Sequence, residues 1–109
     1  NAEDPYNNFM PSVGTITFYN PPGGRGVRVD THIHSGYKIP PYYDSLLAKI
    51  IVHQKTREEA IACMKRALHE CIIDGVKTTI PLSIDLISHP DFVSGNFNTK
   101  FVENFLENS

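Results

Sequence analysis

The sequence lacks several features that would assign it to a common functional class. It has no basic excess, since ten Lys and Arg stand against twelve Asp and Glu and the net charge is −2. A nucleic acid or an anionic membrane surface requires a concentrated basic face, so neither is expected as a partner. No apolar run approaches about 18 residues, so the sequence predicts no transmembrane helix.

Cysteine is also scarce, with only Cys63 and Cys71. Both fall within one predicted helix, and their spacing separates them by about 12 Å along its axis. A disulfide requires Cα atoms within about 7 Å. We therefore expect two free thiols that serve packing, in a protein of the reducing cytoplasm.

The length of 109 residues predicts one domain, spanning residues 1–109. The chain begins at Asn1 without a methionine or a signal peptide, so we expect a segment cut out of a longer protein. Six of the eight prolines and five of the seven glycines lie in the first 43 residues. Because Pro and Gly interrupt regular structure, this distribution predicts short strands first and helices later. The predicted fold is therefore α+β, with a small, mostly antiparallel sheet and about three helices.

Alternating or continuous apolar residues predict strands over residues 14–19, 27–35 and 44–53. In the first, Ile16 and Phe18 are expected on one face. The third is apolar on both faces and is therefore expected at the centre of the sheet.

The clearest helix begins at Thr56, which forms a capping box with Glu59, and it is expected to stop at Gly75. A short strand over 76–80 follows. Pro81 suits the first turn of a second helix that ends at residues 89–90. Asn98 or Thr99 is expected to cap a last helix.

Three patterns admit a functional interpretation beside a plain one. His32 and His34 could offer two metal ligands on one strand face, but no third ligand is visible and a polar face is favoured. Residues 22–26 resemble a phosphate-binding loop but precede a strand, so a hairpin-type turn is favoured. The charged outer face of the long helix is most simply solvated; it comprises Lys55, Arg57, Glu58, Lys65, Arg66 and Glu70.

Asp44 follows a stiff Pro40-Pro41-Tyr42-Tyr43 approach. Its carboxylate could orient a cation or a catalytic arginine, or it could bond local amides in a turn, which the residues alone favour. Taken by themselves, the residues predict a small α+β domain without a complete active site, and a non-catalytic β-rich interaction module is the alternative.

Several motifs in order along the chain resemble the biotin carboxylase C-terminal domain. They are Asn1-Ala2-Glu3-Asp4-Pro5, Phe9-Met10-Pro11-Ser12, the 22–28 loop, residues 32–37, Pro40-Pro41-Tyr42-Tyr43-Asp44-Ser45-Leu46-Leu47-Ala48-Lys49, residues 56–60 and 73–79, and Phe97-Asn98-Thr99-Lys100-Phe101. Val13, Arg25 and His34 depart from the residues that are frequent in the family.

The resemblance implies an enzyme that uses ATP, Mg or Mn, and bicarbonate to carboxylate biotin on a biotin carboxyl carrier protein. The acetyl-CoA carboxylase subunit of fatty-acid synthesis is the form it resembles most, and pyruvate and propionyl-CoA carboxylases share the domain. The ATP-grasp domain of the same chain would hold the nucleotide and the metal. This part would hold neither, nor any complete catalytic site, and it would be inactive alone.

The resemblance also implies roles for three residues of this chain. Arg28 occupies a position similar to the family's dimer-contact arginine, and Arg25 is expected beside it in the interface of a homodimer. Asp44 is expected near the active-site wall, where it could pair with a biotin-contacting arginine located just before Asn1.

Overall fold

The computed structural model describes residues 1–40 and 45–107. Eight short strands and four helices occur in these ranges: β1 Glu3–Asp4, β2 Met10–Pro11, β3 Gly14–Thr15, β4 Phe18–Asn20, β5 Val27–Thr31, β6 Lys38–Ile39, β7 Ala48–Val52, α1 Arg57–Glu70, β8 Ile72–Asp74, α2 Ile80–Ser88, α3 Pro90–Ser94 and α4 Phe101–Glu107. The strands precede most of the helices, which confirms the α+β fold predicted from the sequence. No helix within the described ranges combines the length and the apolar character needed to cross a bilayer.

The strands form four antiparallel pairs, β1–β2, β3–β6, β4–β8 and β5–β7. The single small sheet predicted from the sequence is thus divided into two-stranded ribbons. The division occurs where residues 14–19 were predicted as one strand. Ile16 exchanges backbone hydrogen bonds with residues 36–37, and the Thr17 amide then donates to the Asp74 carbonyl at 2.9 Å. The chain therefore changes partner between Ile16 and Thr17.

This change of partner separates the side chains that were expected to share one face. Ile16 is fully buried in the core, whereas Phe18 is 47% exposed. The prediction that the two lie on one face is therefore wrong, because the strand does not continue through Ile16 and Thr17. The remaining core residues around Ile16 come from separate segments and are Ala2, Ile33, Ile39 and Leu47.

The β5–β7 ribbon is the longest, with Val27 opposite Val52 and Thr31 opposite Ala48. Side chains alternate between its two faces, since directly opposed residues lie on the same face. The half-buried face, which contacts α1, carries Val27, Val29, Ile50 and Val52.

β7 is not a central strand, contrary to the prediction for residues 44–53. Among the described residues it pairs with β5 alone, and Ile51 on its other face is 44% exposed. A strand with one partner and one covered face buries only every second side chain. An unbroken apolar run therefore overstated how much of this strand is buried.

Helix α1 begins as the sequence predicts. The Glu59 amide donates to the Thr56 hydroxyl oxygen at 3.1 Å, which caps the first turn. The helix ends at Glu70, before Gly75, because residues 72–74 turn to extended structure and pair with β4. The predicted helix end and the predicted strand at 76–80 are both wrong for this reason.

The last third of the described chain contains three helices, so the total is four and not about three. Pro81 lies in the first turn of α2, as predicted, and α2 ends at residue 88. Pro90 then begins the short α3, which the sequence did not predict. Before α4, the Asn98 side-chain oxygen accepts a hydrogen bond from the Lys100 amide at 2.9 Å.

Candidate functional site

The exposed face of the β5–β7 ribbon carries the predicted interface residue Arg28. Its Nε and Nη2 atoms donate to the two carboxylate oxygens of Asp30, each at 3.1 Å. The strand register places Lys49 opposite Asp30 and Ile51 opposite Arg28. We call these four exposed residues, Arg28, Asp30, Lys49 and Ile51, the outer ribbon face.

The Arg28–Asp30 pair is exposed and contributes little to stability. The two side chains are 73% and 47% exposed, and pairs this exposed contribute little to folding free energy. The hydrogen bonds from Arg28 to Asp30 raise the pKa of Arg28, which like any arginine is charged at physiological pH. The outer ribbon face therefore presents opposite charges side by side, with an exposed isoleucine next to them.

The second predicted interface residue, Arg25, lies in the loop between β4 and β5. Its side chain is exposed, while its carbonyl oxygen accepts from Gln54 Nε2 at 3.3 Å and lies 4.0 Å from the Cys63 thiol. The loop leads into a strand and not a helix, as expected. It is not a hairpin turn, however, because β4 and β5 pair with different strands.

Helix α1 holds this loop through two side chains that the sequence placed on a solvated face. Arg66 Nη1 donates to the Gly23 carbonyl at 3.2 Å and to Glu70 Oε1 at 2.9 Å. The Gly23 amide donates to Glu70 Oε2 at 3.4 Å. The hydrogen bond with Glu70 raises the pKa of Arg66. We call Arg66 and Glu70 the α1 clamp; their i, i+4 spacing was the one signal in the sequence that could have indicated a pair.

A third charged residue of that helix face is also engaged. Arg57 Nη2 donates to the Phe92 carbonyl at 2.7 Å, and its guanidinium carbon lies 5.1 Å from the centre of the Phe92 ring. Stacking on an aromatic ring is a common use of arginine. The prediction of a solvated face stands, since Arg57, Arg66 and Glu70 remain substantially exposed to solvent, but their contacts with other segments were not predicted.

His32 and His34 do not lie on one strand face, because β5 ends at Thr31. Both rings are exposed and meet the Tyr37 ring edge-on, with centroid distances of 5.4 and 5.6 Å. Across residues 1–40 and 45–107, no group of three His, Cys, Asp or Glu side chains is arranged to hold a metal ion. The two histidines thus contribute to a polar aromatic surface.

Cys63 and Cys71 are free and buried, as the sequence predicts. Burial raises the pKa of the Cys71 thiol. Both side chains belong to the packed interior. Cys63 lies within helix α1, and Cys71 directly follows its last residue.

Asp44 lies outside the described residues. The next residue, Ser45, is described: its carbonyl accepts from the Ala2 amide at 2.8 Å, and its hydroxyl donates to Glu3 Oε2 at 2.8 Å. The start of the chain therefore lies directly beside Ser45.

The chain is similar to proteins of known function over nearly all its length. Residues 1–104 match the family model described as biotin carboxylase C-terminal domain. Biotin carboxylase 1 of Bacillus subtilis is 61% identical over 105 residues, which are 96% of this chain and 23% of that protein. The small subunit of the 2-oxoglutarate carboxylase of Hydrogenobacter thermophilus is 50% identical over 103 residues, which are 94% of this chain and 22% of that protein.

A solved structure has the same fold. It is the biotin carboxylase domain dimer of the same Hydrogenobacter thermophilus enzyme, in complex with MgADP, ADP and bicarbonate. The TM-score is 0.93 at 50% sequence identity, over 95% of this chain and 23% of that one. The present chain thus spans about a quarter of the length of its relatives.

Proposed function

Because the chain belongs to the family of biotin carboxylase C-terminal domains, we propose that it is part of an enzyme that uses ATP and bicarbonate to carboxylate biotin on a carrier protein. The observation that carries this proposal is the likeness of almost the whole chain, in order, to biotin carboxylases at up to 61% identity. This chain covers only 23% of such a relative, and we expect the activity to depend on the remainder of the protein.

We propose that MgATP binds outside this domain. The glycine-containing loop leads into β5, so no helix N-terminus lies behind its amides, and residues 1–40 and 45–107 contain no group of three His, Cys, Asp or Glu side chains arranged to hold a metal ion. We therefore assign nucleotide, Mg or Mn, and bicarbonate to the ATP-grasp domain of the same protein. The C-terminal domain would contribute part of the active-site wall and the subunit interface.

We place the outer ribbon face and Arg25 in the interface of a homodimer. The relative from Hydrogenobacter thermophilus is described as a dimer. Adjacent opposite charges are compatible with a two-fold symmetric dimer. Arg28 of one protomer can face Asp30 of the other, and symmetry then places Asp30 of the first opposite Arg28 of the second. The exposed Ile51 beside Arg28 adds apolar area to such a contact.

We propose that Asp44 orients an arginine located just before Asn1. The hydrogen bond from the Ala2 amide to the Ser45 carbonyl supports this proposal, because it holds the start of the chain beside Ser45, which follows Asp44 in the sequence. The guanidinium N–H groups of this arginine, held in one orientation, would face the ureido oxygen of biotin, where negative charge develops as N1′ loses its proton.

For the acceptor system we propose acetyl-CoA carboxylase, which serves fatty-acid synthesis, and a cytoplasmic location. Identity is 61% to a protein named only for biotin carboxylation and 50% to proteins named for pyruvate or 2-oxoglutarate. Transfer of labelled bicarbonate to acetyl-CoA, pyruvate or 2-oxoglutarate in the presence of the cognate carrier and transferase distinguishes these systems.

The experiment that tests the function uses the full-length protein with free biotin. We expect ATP cleavage that depends on both bicarbonate and a divalent cation, and formation of carboxybiotin. The isolated domain should neither bind MgATP in calorimetric titration nor cleave it. If the full-length protein shows no bicarbonate-dependent ATP cleavage and forms no carboxybiotin, the proposal is refuted and a non-catalytic role for this domain is favoured.

The interface is tested by Arg28→Glu in the same protein, with sedimentation at low protein concentration. The variant should dissociate at higher concentrations than the parent, because the reversed charge then faces Asp30 of its own and of the other protomer. Lys77→Glu, a charge reversal at an exposed residue away from the ribbon, is the matched control and should leave the dimer intact.

A further inference from the structure

The loop that carries Arg25 is held by hydrogen bonds at four consecutive carbonyls, from Gly23 to Gly26, and at the Gly23 amide. The Gly23 amide and carbonyl bond to the α1 clamp, the Gly24 carbonyl accepts from the Val27 amide at 3.2 Å, and the Gly26 carbonyl accepts from the His53 amide at 2.9 Å. The Arg25 carbonyl accepts from Gln54. Surface loops ordinarily leave such groups to water, so this loop is unusually fixed.

Two glycines of the loop, Gly24 and Gly26, allow this close approach. A Cβ atom on Gly24 would lie 3.1 Å from both terminal nitrogens of the Arg66 guanidinium, and Gly24 has a φ of +109°. A Cβ atom on Gly26 would lie 2.6 Å from the His53 carbonyl oxygen. The backbone therefore approaches Arg66 on one side and the segment before α1 on the other, and the Arg25 side chain between them is left exposed.

We propose that Arg66 and Glu70 are positioning residues for self-association, which hold the loop so that the Arg25 side chain meets the second protomer in one fixed arrangement. This inference rests on the proposed dimer function of Arg25 and Arg28. It adds two residues that lie on helix α1 and act on the interface through the loop.

A role in stability alone does not account for the α1 clamp. The Arg66 and Glu70 side chains are 47% and 41% exposed, and ion pairs at such exposure change folding free energy little. Ordering the loop before association, by contrast, reduces the conformational entropy that is lost on dimerisation. The benefit of the clamp is therefore expected in the dimerisation constant more than in the melting temperature.

The test is a double-mutant cycle in the full-length protein, with the dimer dissociation constant measured by sedimentation. Arg66→Ala should raise the dimer dissociation constant about tenfold, the usual effect of losing one hydrogen bond to a charged group. In the Arg25→Ala background the same change should alter the constant less than about twofold, because residues that act through one contact are not additive. Glu70→Gln, which keeps an acceptor for the Gly23 amide, should have a smaller effect than Arg66→Ala.

Arg57→Ala is the matched control, since it removes an arginine from the same helix that contacts Phe92 and not the loop. It should leave dimerisation unchanged. Melting temperatures of all variants identify any that fail to fold, and Arg66→Lys, which retains a single donor and the charge, then replaces Arg66→Ala in the cycle.

The positioning role of the α1 clamp and the interface itself can be refuted separately. If Arg28→Glu weakens the dimer but Arg66→Ala does not, or if Arg66→Ala acts equally in both Arg25 backgrounds, the positioning role is overturned and the interface stands. If neither Arg28→Glu nor Arg25→Ala affects the dimer, the interface itself is wrong and the positioning role falls with it.

Discussion

Gly75 lies so close to the backbone of Thr15 that a Cβ atom at position 75 would overlap the Thr15 carbonyl oxygen. It would also lie 2.9 Å from the Thr17 amide nitrogen. Gly75 has a φ of +104°, a conformation that residues with side chains rarely adopt. Both the space and the backbone angle therefore require glycine where the chain leaves β8.

Gly75→Ala should lower the free energy of unfolding by about 2 to 4 kcal/mol, because the overlap adds to the cost of the backbone angle. The measurement is urea denaturation. Gly95→Ala is the control, since Gly95 also has a positive φ, of +79°, but nothing lies within 4 Å of its Cβ position. That variant should lose about 1 kcal/mol. Equal losses at the two positions would mean that the contact with Thr15 is unimportant.

Thr56→Ala should destabilise the protein by about 1 kcal/mol, because the Glu59 amide loses its acceptor at the first turn of α1. Thr56→Ser retains the hydroxyl and should stay within about 0.5 kcal/mol of the parent. Urea denaturation of both variants checks this. A serine variant as unstable as the alanine variant would show that the methyl group, and not the cap, is important.

Stability should decrease at alkaline pH because of the buried Cys71 thiol. Burial raises its pKa, so the folded state retains a proton that the unfolded state releases above about pH 8.5. The contribution is fully present below the unfolded pKa and is lost as pH rises through the folded pKa. Burial also raises the pKa of Tyr19, which would add to this loss only above about pH 10.

The measurement is the free energy of unfolding between about pH 7 and pH 9.5, where tyrosine contributes little. Cys71→Ala should be less stable at neutral pH, since it loses buried volume, but its stability should depend less on pH over this range. An unchanged slope in Cys71→Ala would assign the pH dependence to another group.

Asp44→Asn in the full-length enzyme should slow carboxylation of biotin, with a loss of about 1 to 3 kcal/mol in transition-state stabilisation. Bicarbonate-dependent ATP cleavage should decrease less, because the proposed partner arginine acts on biotin. Both rates and the melting temperature are measured together. A variant that melts early but turns over normally would make Asp44 a structural turn residue.

Local signals predicted the parts of the fold that depend on neighbouring residues. Thr56 and Pro81 mark helix starts through chemistry within one turn, and both were correctly placed. The motif-based resemblance to the biotin carboxylase C-terminal domain was confirmed by the family match over residues 1–104. It succeeded because it depended on many positions in order and not on one pattern.

The errors arose where a distant segment decides the structure. The apolar Ile72 continues a helical stripe, yet it lies in β8 because β4 is available to pair with it. The hydrogen bond from Arg66 to the loop was missed for the same reason. Nothing near it in sequence indicates that Gly23, 43 residues earlier, lies within hydrogen-bond distance.

The change of strand partner between Ile16 and Thr17 has a consequence for how the domain opens. Ile16 is bonded toward the β3–β6 ribbon and Thr17 toward the β4–β8 ribbon, so two adjacent peptide units join both ribbons. Opening of either ribbon is expected to expose the fully buried Ile16 side chain to water. The β3–β6 and β4–β8 ribbons should therefore exchange their amide hydrogens as one cooperative unit, although none of their strands exceeds three residues.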